Sequence, residues 1–534
     1  MTNLSIRLRV LAAVIVFLAL GIALLPYAGV QNDEALFAAP YYQENARQFC
    51  ITIFHKRIVL MVMSYIGTLK TALYGPILAI FGANVWSIRL PMVLAGVLTV
   101  FIFYYLVQRS AGPGAALLAA FLLATDPSFL LTDTFDWGPV ALEHLLLVTG
   151  CFLVLRSAQD SHRNTSMRDL ALGFFFFGLG LWNKAIFGWA LAGLAVATAA
   201  VFWPELKRMA TGRRMAIAGT AFLFGALPFV TYNLRHPFET LRQNAHREDP
   251  ATVLPKFRML AGTLDGSGLF GFITAEDWAD NPKAPGSRLE RSTAFLRSTL
   301  GDHRQSFMTY ALLLALLLVP RWWRSRAARF ALLFLLVDWA IMSSTRGAGG
   351  AVHHTVLLWP MPQMFIAATF CSLSPRAAGI AGIVLVAMNL LVINRYLYEF
   401  ERNGAAGNFT DALYPLSNAL SDSPRPIYVL DWGMLNTLSL FHEGRLELRA
   451  ADFPFVTEHP GEFERRIIDA MLSDPEALYI SHVRSREVTK GARDGFDREA
   501  AKAGKQEQMV QTIPDSNGRP VFDIFRLAPL QISP

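Results

Sequence analysis

Six groups of polar residues lie where long apolar runs begin or end, and their side chains define the chemistry open to this chain. Asn32-Asp33-Glu34 follows the first apolar run. Adjacent carboxylates there suit a helix N-cap or a general base that takes a proton from an attacking hydroxyl. Asp133 and Asp136 lie in Thr-Asp-Thr-Phe-Asp-Trp-Gly-Pro. Pro139 suits a first helical turn, so Asp136 is either a cap or a second acid of a shared site. Lys184, in Leu-Trp-Asn-Lys-Ala, is the only charge between Leu170 and Trp203. It either snorkels to the interface or faces a lipid phosphate. His353-His354 follows the turn Arg346-Gly-Ala-Gly-Gly. The pair suits a surface position, phosphate contacts or zinc, although zinc needs three or four ligands. Lys70 and Arg89 bracket the middle and end of an interfacial segment, as anion contacts or as interface anchors. Asp338 sits alone in an apolar run, where a structural partner inside the bundle is expected.

The elements that must position these groups are membrane helices. Of 534 residues 53% are hydrophobic and only 17% charged, with 39 Phe. Soluble domains carry about 25% charged residues, so composition argues against a soluble enzyme. Apolar runs long enough to span a bilayer occupy Leu8–Tyr27, Ile88–Val107, Gly114–Leu131, Pro139–Leu155, Arg168–Asn183, Ala185–Trp203, Met215–Asn233, Phe307–Pro320, Ala327–Ser343, Thr355–Leu373 and Ala377–Asn394. The first resembles a signal peptide but is followed by no small-residue cleavage site, so it is expected to stay as a helix. Eleven spans are predicted, with Ile58–Gly82 lying in the outer interface and Arg168–Trp203 folded as a hairpin.

Charge supports that parity. Residues 1–393 hold 32 basic and 20 acidic residues, and residues 394–534 hold 16 and 21. With the N-terminus inside, the inner loops collect Arg109, Arg156, Arg163, Arg168, Lys207, Arg208, Arg213, Arg214, Arg321, Arg324, Arg326, Arg329 and Arg376, while the short outer loops hold only Lys184 and Arg346. Other parities invert part of this asymmetry, against the positive-inside rule. The predicted protein is mainly α, a polytopic bundle over residues 1–393 with outer loops at 28–87 and 234–306. A small outer α/β domain follows over residues 394–534. Its strands are expected at Pro426–Leu430, Ala477–Val483 and Val521–Leu527, and its helices at Glu462–Leu472 and Arg493–Ala503. The basic residues sit between apolar segments, which argues against nucleic acid as a partner. Three scattered cysteines exclude a disulfide framework. The expected location is the plasma (inner) membrane, with a cytoplasmic N-terminus and a periplasmic or extracellular C-terminal domain.

Together these residues resemble the GT-C superfamily of multi-span glycosyltransferases, in the branch of protein O-mannosyltransferases and aminoarabinose transferases of lipid A. The likeness rests on the outer-loop pair Asp33-Glu34; on Phe81-Gly82 leading to Arg89-Leu90-Pro91; on Asp136 at the start of the fourth span; on the hairpin apex Asn183-Lys184-Ala185; and on His353-His354 in a late outer turn. It covers roughly the first 200 residues best. The interfacial segment departs from it, with Ile66-Gly67-Thr68-Leu69 where His-Pro-Pro-Leu is common, and Lys70 one residue on as a substitute contact.

The resemblance implies transfer of a sugar from a polyprenyl-phosphate donor to a hydroxyl on a lipid, glycan or protein acceptor, with inversion, at the outer face. It assigns Asp33, Glu34 and Asp136 to catalysis, with either Asp33 or Asp136 as base. Lys184, Lys70, Arg89, His353 and His354 would bind the donor phosphate. No metal or cofactor is expected; a divalent cation held by the carboxylates is the alternative. A second class, a transporter or flippase of lipid-linked sugar, would favour internal repeats and helices broken at mid-membrane; the sequence shows no repeat.

Overall fold

The computed structural model describes residues 3–530 apart from 45, 161–162, 277–281, 422, 424 and 456–460. Parts of the predicted outer loop 234–306 and of the tail 394–534 therefore lie outside the described residues.

All eleven apolar runs lie in helices. Five are long and apolar enough to cross a bilayer on length and composition: Val85–Ala111, Val140–Gln159, Phe187–Met209, Arg326–Ser344 and Pro375–Asn403. Two more expected spans are each broken into a bent pair. Pro113–Ala124 meets Pro127–Thr134 at 56°, and Gly212–Gly225 meets Leu227–Arg235 at 69°. A proline at the start of each second segment accounts for the break, since it lacks the N–H that would continue the ladder. At the first break Asp126 accepts from Phe129 N (2.9 Å), Trp359 Nε1 (2.8 Å) and Gln363 Nε2 (2.9 Å). A buried acid inside the bundle is thus fully engaged in holding three helices together. The other runs, in Asn3–Leu24, Arg163–Asn183, Met308–Leu317 and Met361–Cys371, are shorter or less apolar. The bundle's outer surface exposes Leu94, Leu98, Phe101, Leu313, Leu314, Ile380 and Ile383. Apolar exposure on this scale is expected of a surface solvated by lipid.

Between the first two spans the chain builds a three-stranded antiparallel sheet, β1 (Phe49–Ile53), β2 (Lys56–Met63) and β3 (Ile66–Gly67), then the helix Leu69–Phe81. The interfacial segment predicted over Ile58–Gly82 is therefore part strand and part helix. The last long helix runs to Asn403, past the expected boundary at residue 393. Beyond it lies a five-stranded sheet of β4 (Ile427–Val429), β5 (Leu448–Ala450), β6 (Leu478–His482), β7 (Lys505–Pro514) and β8 (Pro520–Pro529), in the order β5-β4-β6-β8-β7. The first three are parallel and the last two antiparallel. Helices Leu413–Leu420 and Leu435–Phe441 cover one face, and Glu462–Ser473 and Ala492–Lys502 the other.

Helices Arg163–Asn183 and Gly212–Gly225 approach until a Cβ on Gly178 would lie 2.2 Å from Phe222 O, and one on Gly225 2.4 Å from Phe175 O. Small residues let membrane helices pack this closely. Gly178→Val forces backbone apart rather than a side chain aside, so it is expected to cost about 3 kcal/mol, at the upper end of overpacking. A lowered thermal unfolding midpoint in detergent checks this, against Gly212→Ala, where a Cβ meets nothing.

Candidate active site

The loop after the first span turns at Gln31, whose side-chain oxygen accepts from Asp33 N (2.5 Å) and Glu34 N (3.1 Å). The Glu34 carboxylate returns the bond, accepting from Gln31 N at 3.2 Å. This capping box fixes the two neighbouring carboxylates in opposite directions. Glu34 points inward to Arg89, taking Nε at 2.7 Å and Nη2 at 3.0 Å. The same guanidinium donates to Leu25 O (2.7 Å), Ala28 O (2.9 Å) and Gly29 O (2.8 Å), and lies 4.7 Å from the Phe135 ring centre. Its five N–H donors are thus all engaged, and both residues are buried. The expected phosphate contact from Arg89 and catalytic role for Glu34 are replaced by a structural clamp on the loop.

Asp33 stays free of that clamp. It is only partly buried and forms no ion pair among the described residues. Burial raises its pKa above the ordinary carboxylate value, offset by hydrogen bonds with Gln31 and Asn32 and by the charge of Lys184. Tyr65, absent from the sequence prediction, also faces Asp33, and its phenol is pushed up by burial and by that carboxylate.

Asp136 is engaged twice. One oxygen caps the helix Val140–Gln159, accepting from Val140 N (2.6 Å) and Ala141 N (3.4 Å). The other meets Lys70 Nζ at 2.9 Å, and Lys70 also donates to Asp136 O at 2.6 Å. The Lys70 ammonium sits 4.5 Å from the Phe37 ring centre and is fully buried. Asp136 therefore acts as cap and counter-ion, and Lys70 is directed at it rather than at an anion.

Lys184 is held differently. The hairpin apex is pinned to the small sheet through Ala185 N to Tyr65 O (2.8 Å), a bridge between Ile66 and Lys184, and Trp182 Nε1 to Leu60 O (2.9 Å). Gly67 permits this: a Cβ there would lie 2.0 Å from Trp182 O. The buried Lys184 ammonium then makes one hydrogen bond, to Gly138 O at 3.0 Å. Burial pulls its pKa down to about 8, opposed by Glu143, Asp136 and Asp33. Beside it Asn183 Nδ2 donates to Glu143 Oε1 (2.7 Å) and Pro139 O (3.1 Å), while Glu143 Oε2 and Asn183 Oδ1 have no partner.

His353 and His354 stack at 4.2 Å between ring centres, and Trp137 meets His353 at 5.6 Å. A Cβ on Gly138 would lie 3.2 Å from His353 Cδ2, so the pair borders the carbonyl that holds Lys184. Burial, helped by Lys184, pushes both imidazoles down, His354 to about 3. Both are neutral at pH 7. Nδ1 of each and Trp137 Nε1 are buried without a partner.

The structure thus gathers Asp33, Lys184, His353 and His354, adds Tyr65, Trp137, Asn183 and Glu143, and sets Glu34, Arg89, Lys70 and Asp136 behind them as support. Trp137 lay within a recognised motif, and Glu143 was visible as an acid in the first turn of a span; Tyr65 carried no signal. Asp133 pairs with His144 at 3.2 Å. Asp338 lines a small cavity with Glu143 and His144 and has no hydrogen bond among the described residues, so the partner expected for it is missing. Among the described residues no three His, Cys, Asp or Glu groups converge as for a metal.

Residues 71–232 match the model of a family described as dolichyl-phosphate-mannose-protein mannosyltransferase. YycA of Bacillus subtilis (strain 168), a candidate mannosyltransferase by name, is 37% identical over 75 residues, 14% of this chain. The chain spans only 11% of that relative's length. Among solved structures, ArnT from Cupriavidus metallidurans bound to undecaprenyl phosphate matches with a TM-score of 0.58 at 13% identity, covering 98% of both chains. The oligosaccharyltransferase AglB of Archaeoglobus fulgidus, with an inhibitory peptide and a dolichol-phosphate, matches with a TM-score of 0.51 at 12% identity, covering 98% of this chain and 75% of its own. At such identities the likeness concerns the fold.

Arg89→Lys leaves Glu34 and three carbonyls short of donors in a buried site. Breaking a buried pair costs about 3–5 kcal/mol. Thermal unfolding is expected to show a large loss for Arg89→Lys and Glu34→Gln and little for Asp33→Asn; equal losses in all three would contradict the division of labour drawn here.

Proposed function

We propose that this multi-pass membrane protein, whose fold is that of the GT-C glycosyltransferases, transfers a sugar from a polyprenyl-phosphate donor to an acceptor hydroxyl. One observation carries the proposal. Next to Asp33, a carboxylate in no ion pair among the described residues, stands a buried cluster of polar groups short of partners among those residues: an ammonium with a single hydrogen bond, an indole N–H and two neutral imidazoles. Buried donors left unpaired are costly, and a phosphate is a ligand with enough acceptor oxygens to satisfy them. The membrane setting favours a lipid-borne phosphate, because a polyprenyl tail holds the donor where these helices end. The matching family and the two matched structures all concern polyprenyl or dolichyl phosphates in their own proteins.

Asp33 accepts the proton of the acceptor O–H. The oxygen attacks the anomeric carbon from the face opposite the phosphate, a new C–O bond forms, and the anomeric C–O bond to phosphate breaks. The electron pair stays on the phosphate, where Lys184, Trp137 and the imidazoles stabilise it. Fixed donors aimed at developing charge supply a large share of enzymatic rate. Asp33 then releases its proton to water, and the sugar emerges inverted. The family description names mannose, so a mannosyl donor is the first to test, with pentosyl donors next. The site faces the periplasmic or extracellular side of the plasma membrane, with the N-terminus in the cytoplasm.

The test is purified protein with mannosyl-phosphate polyprenol, following release of polyprenyl phosphate. Asp33→Asn is expected to lose at least 100-fold in rate, as for removal of a general base, and Lys184→Ala a comparable factor. A wild type that moves the donor between leaflets without releasing polyprenyl phosphate supports a flippase and ends the enzyme reading. The pH profile is bell-shaped. The acid limb follows protonation of Asp33, above the ordinary carboxylate range, and the alkaline limb falls near pH 8 as Lys184 loses its proton. In Lys184→Arg the alkaline limb moves upward, because a guanidinium stays charged. Chelating divalent cations is expected to leave the rate within about twofold, since the leaving phosphate is met by fixed protein groups.

A further inference from the structure

The C-terminal sheet carries a polar notch to which the mechanism assigns no role. Strand β4 lies between β5 and β6, and the chain passes from β4 to β5 on one side and then to β6 on the other. The connection reverses between β4 and β6, and in open α/β sheets ligands bind outside the carboxyl ends of strands at such a switch point. The residues standing there are Asp431, just after β4, and His482, the last residue of β6.

They form a dyad. His482 Nδ1 donates to Asp431 Oδ2 at 2.7 Å. Asp431 also accepts from Trp432 N (2.8 Å), Val488 N (2.9 Å) and Thr489 N (2.8 Å). With Nδ1 committed to Asp431, the ring's Nε2 has no hydrogen bond among the described residues. Asn408 stands opposite with its side-chain oxygen buried and unpartnered. Gly433 makes the floor, at φ +110°. A Cβ there would lie 3.2 Å from Asn408 Oδ1 and 3.9 Å from His482 Cε1. The Asn408 oxygen, the ring edge of His482 and a bare stretch of backbone therefore meet at one point.

The notch borders the catalytic loop on both sides. Phe409, next to Asn408, accepts Gly29 N at 2.8 Å and packs 5.2 Å from Trp137. Asn436, three residues beyond Gly433, donates from its backbone to Asn32 Oδ1 at 3.0 Å. Asn32 is the residue before Asp33.

We propose that this notch is an acceptor subsite that takes hydroxyls of a saccharide or polyol group adjoining the hydroxyl to be glycosylated; it rests on the transferase reading above. A buried amide oxygen beside an open imidazole nitrogen suits hydroxyls, which both donate and accept, and the oxygen disfavours an anion. Asp431 is occupied by His482 and three backbone N–H groups, so its carboxylate is not open to an ammonium. Its ligand lies on the acceptor side of Asp33, while the phosphate donors lie on the other.

The test uses the full chain in nanodiscs, with mannosyl-phosphate polyprenol and a detergent extract of total cell-envelope lipids and glycans as the acceptor probe. His482→Gln and Asn408→Ala are each expected to raise the extract concentration for half-maximal transfer about tenfold, leaving the half-saturating donor concentration within twofold. Where one of these two variants unfolds in a thermal melt, the other carries the test. Folded variants whose extract requirement stays within twofold of wild type, or whose donor and extract requirements rise together, overturn the subsite and leave the transferase reading intact. A wild type that releases no polyprenyl phosphate overturns both.

Discussion

An ammonium buried in a membrane protein must be compensated, and the placement of Lys184 follows from that requirement. Taking a charge out of water costs several kcal/mol even after relaxation. Here one carbonyl, Gly138 O, and the fields of Glu143, Asp136 and Asp33 are the compensation. That is enough to keep the lysine in place and too little to satisfy it. Its pKa near 8 expresses the imbalance, because the folded protein holds that proton less tightly than a lysine in water does. Stability contributed at this group rises with pH between about 8 and the ordinary value, so at neutral pH the charged ammonium is a cost to the fold. An anion would remove the penalty. The small sheet β1–β3 exists in this context as the anchor of the hairpin apex, and Gly67 is the point where sheet and apex touch.

The same economy of charge separates two adjacent carboxylates. Glu34 and Asp33 share a four-residue helix and a single capping residue, yet one is locked against a guanidinium with no open donor and the other carries no counter-ion. The Arg89 clamp also ties down Leu25, Ala28 and Gly29, so the backbone leading to Asp33 is rigid where the first span ends. By using Glu34, the clamp fixes the backbone at Asp33 and leaves the Asp33 carboxylate outside the ion pair. Lys70 and Asp136 repeat the pattern on the opposite wall, one ion pair holding the turn that carries Trp137 and Gly138.

This division explains what was legible in the sequence. The helices were, because an apolar run taken out of water has to hydrogen-bond its own backbone. Of the C-terminal elements, the buried strands β4, β6 and β8 and both longer helices carried apolar patterns. Strand β7, Lys-Gln-Glu-Gln-Met-Val-Gln-Thr-Ile-Pro, lies at the sheet edge with mostly exposed side chains, and its composition resembles a loop. Which cation is free and which is bound was not legible. Arg89 is engaged by carbonyls about 60 residues away, and Lys70 by an acid 66 residues away. Residue type and spacing report where a charge stands along the chain; they carry nothing about which long-range partner closes on it. The bends at Pro127 and Leu227 were missed for a related reason, since a proline early in an apolar run reads equally well as a helix start.

The C-terminal domain takes part in the same constraint. Val30 O is held by Thr437 Oγ1 at 3.0 Å, Asn32 by both the backbone and the amide of Asn436, and Gly29 N by Phe409 O. Four hydrogen bonds on residues 29, 30 and 32 come from beyond the last span, so the loop that ends in Asp33 has one wall made by the membrane bundle and one by the C-terminal domain. Removing that domain would therefore release four hydrogen bonds on the backbone that leads to Asp33.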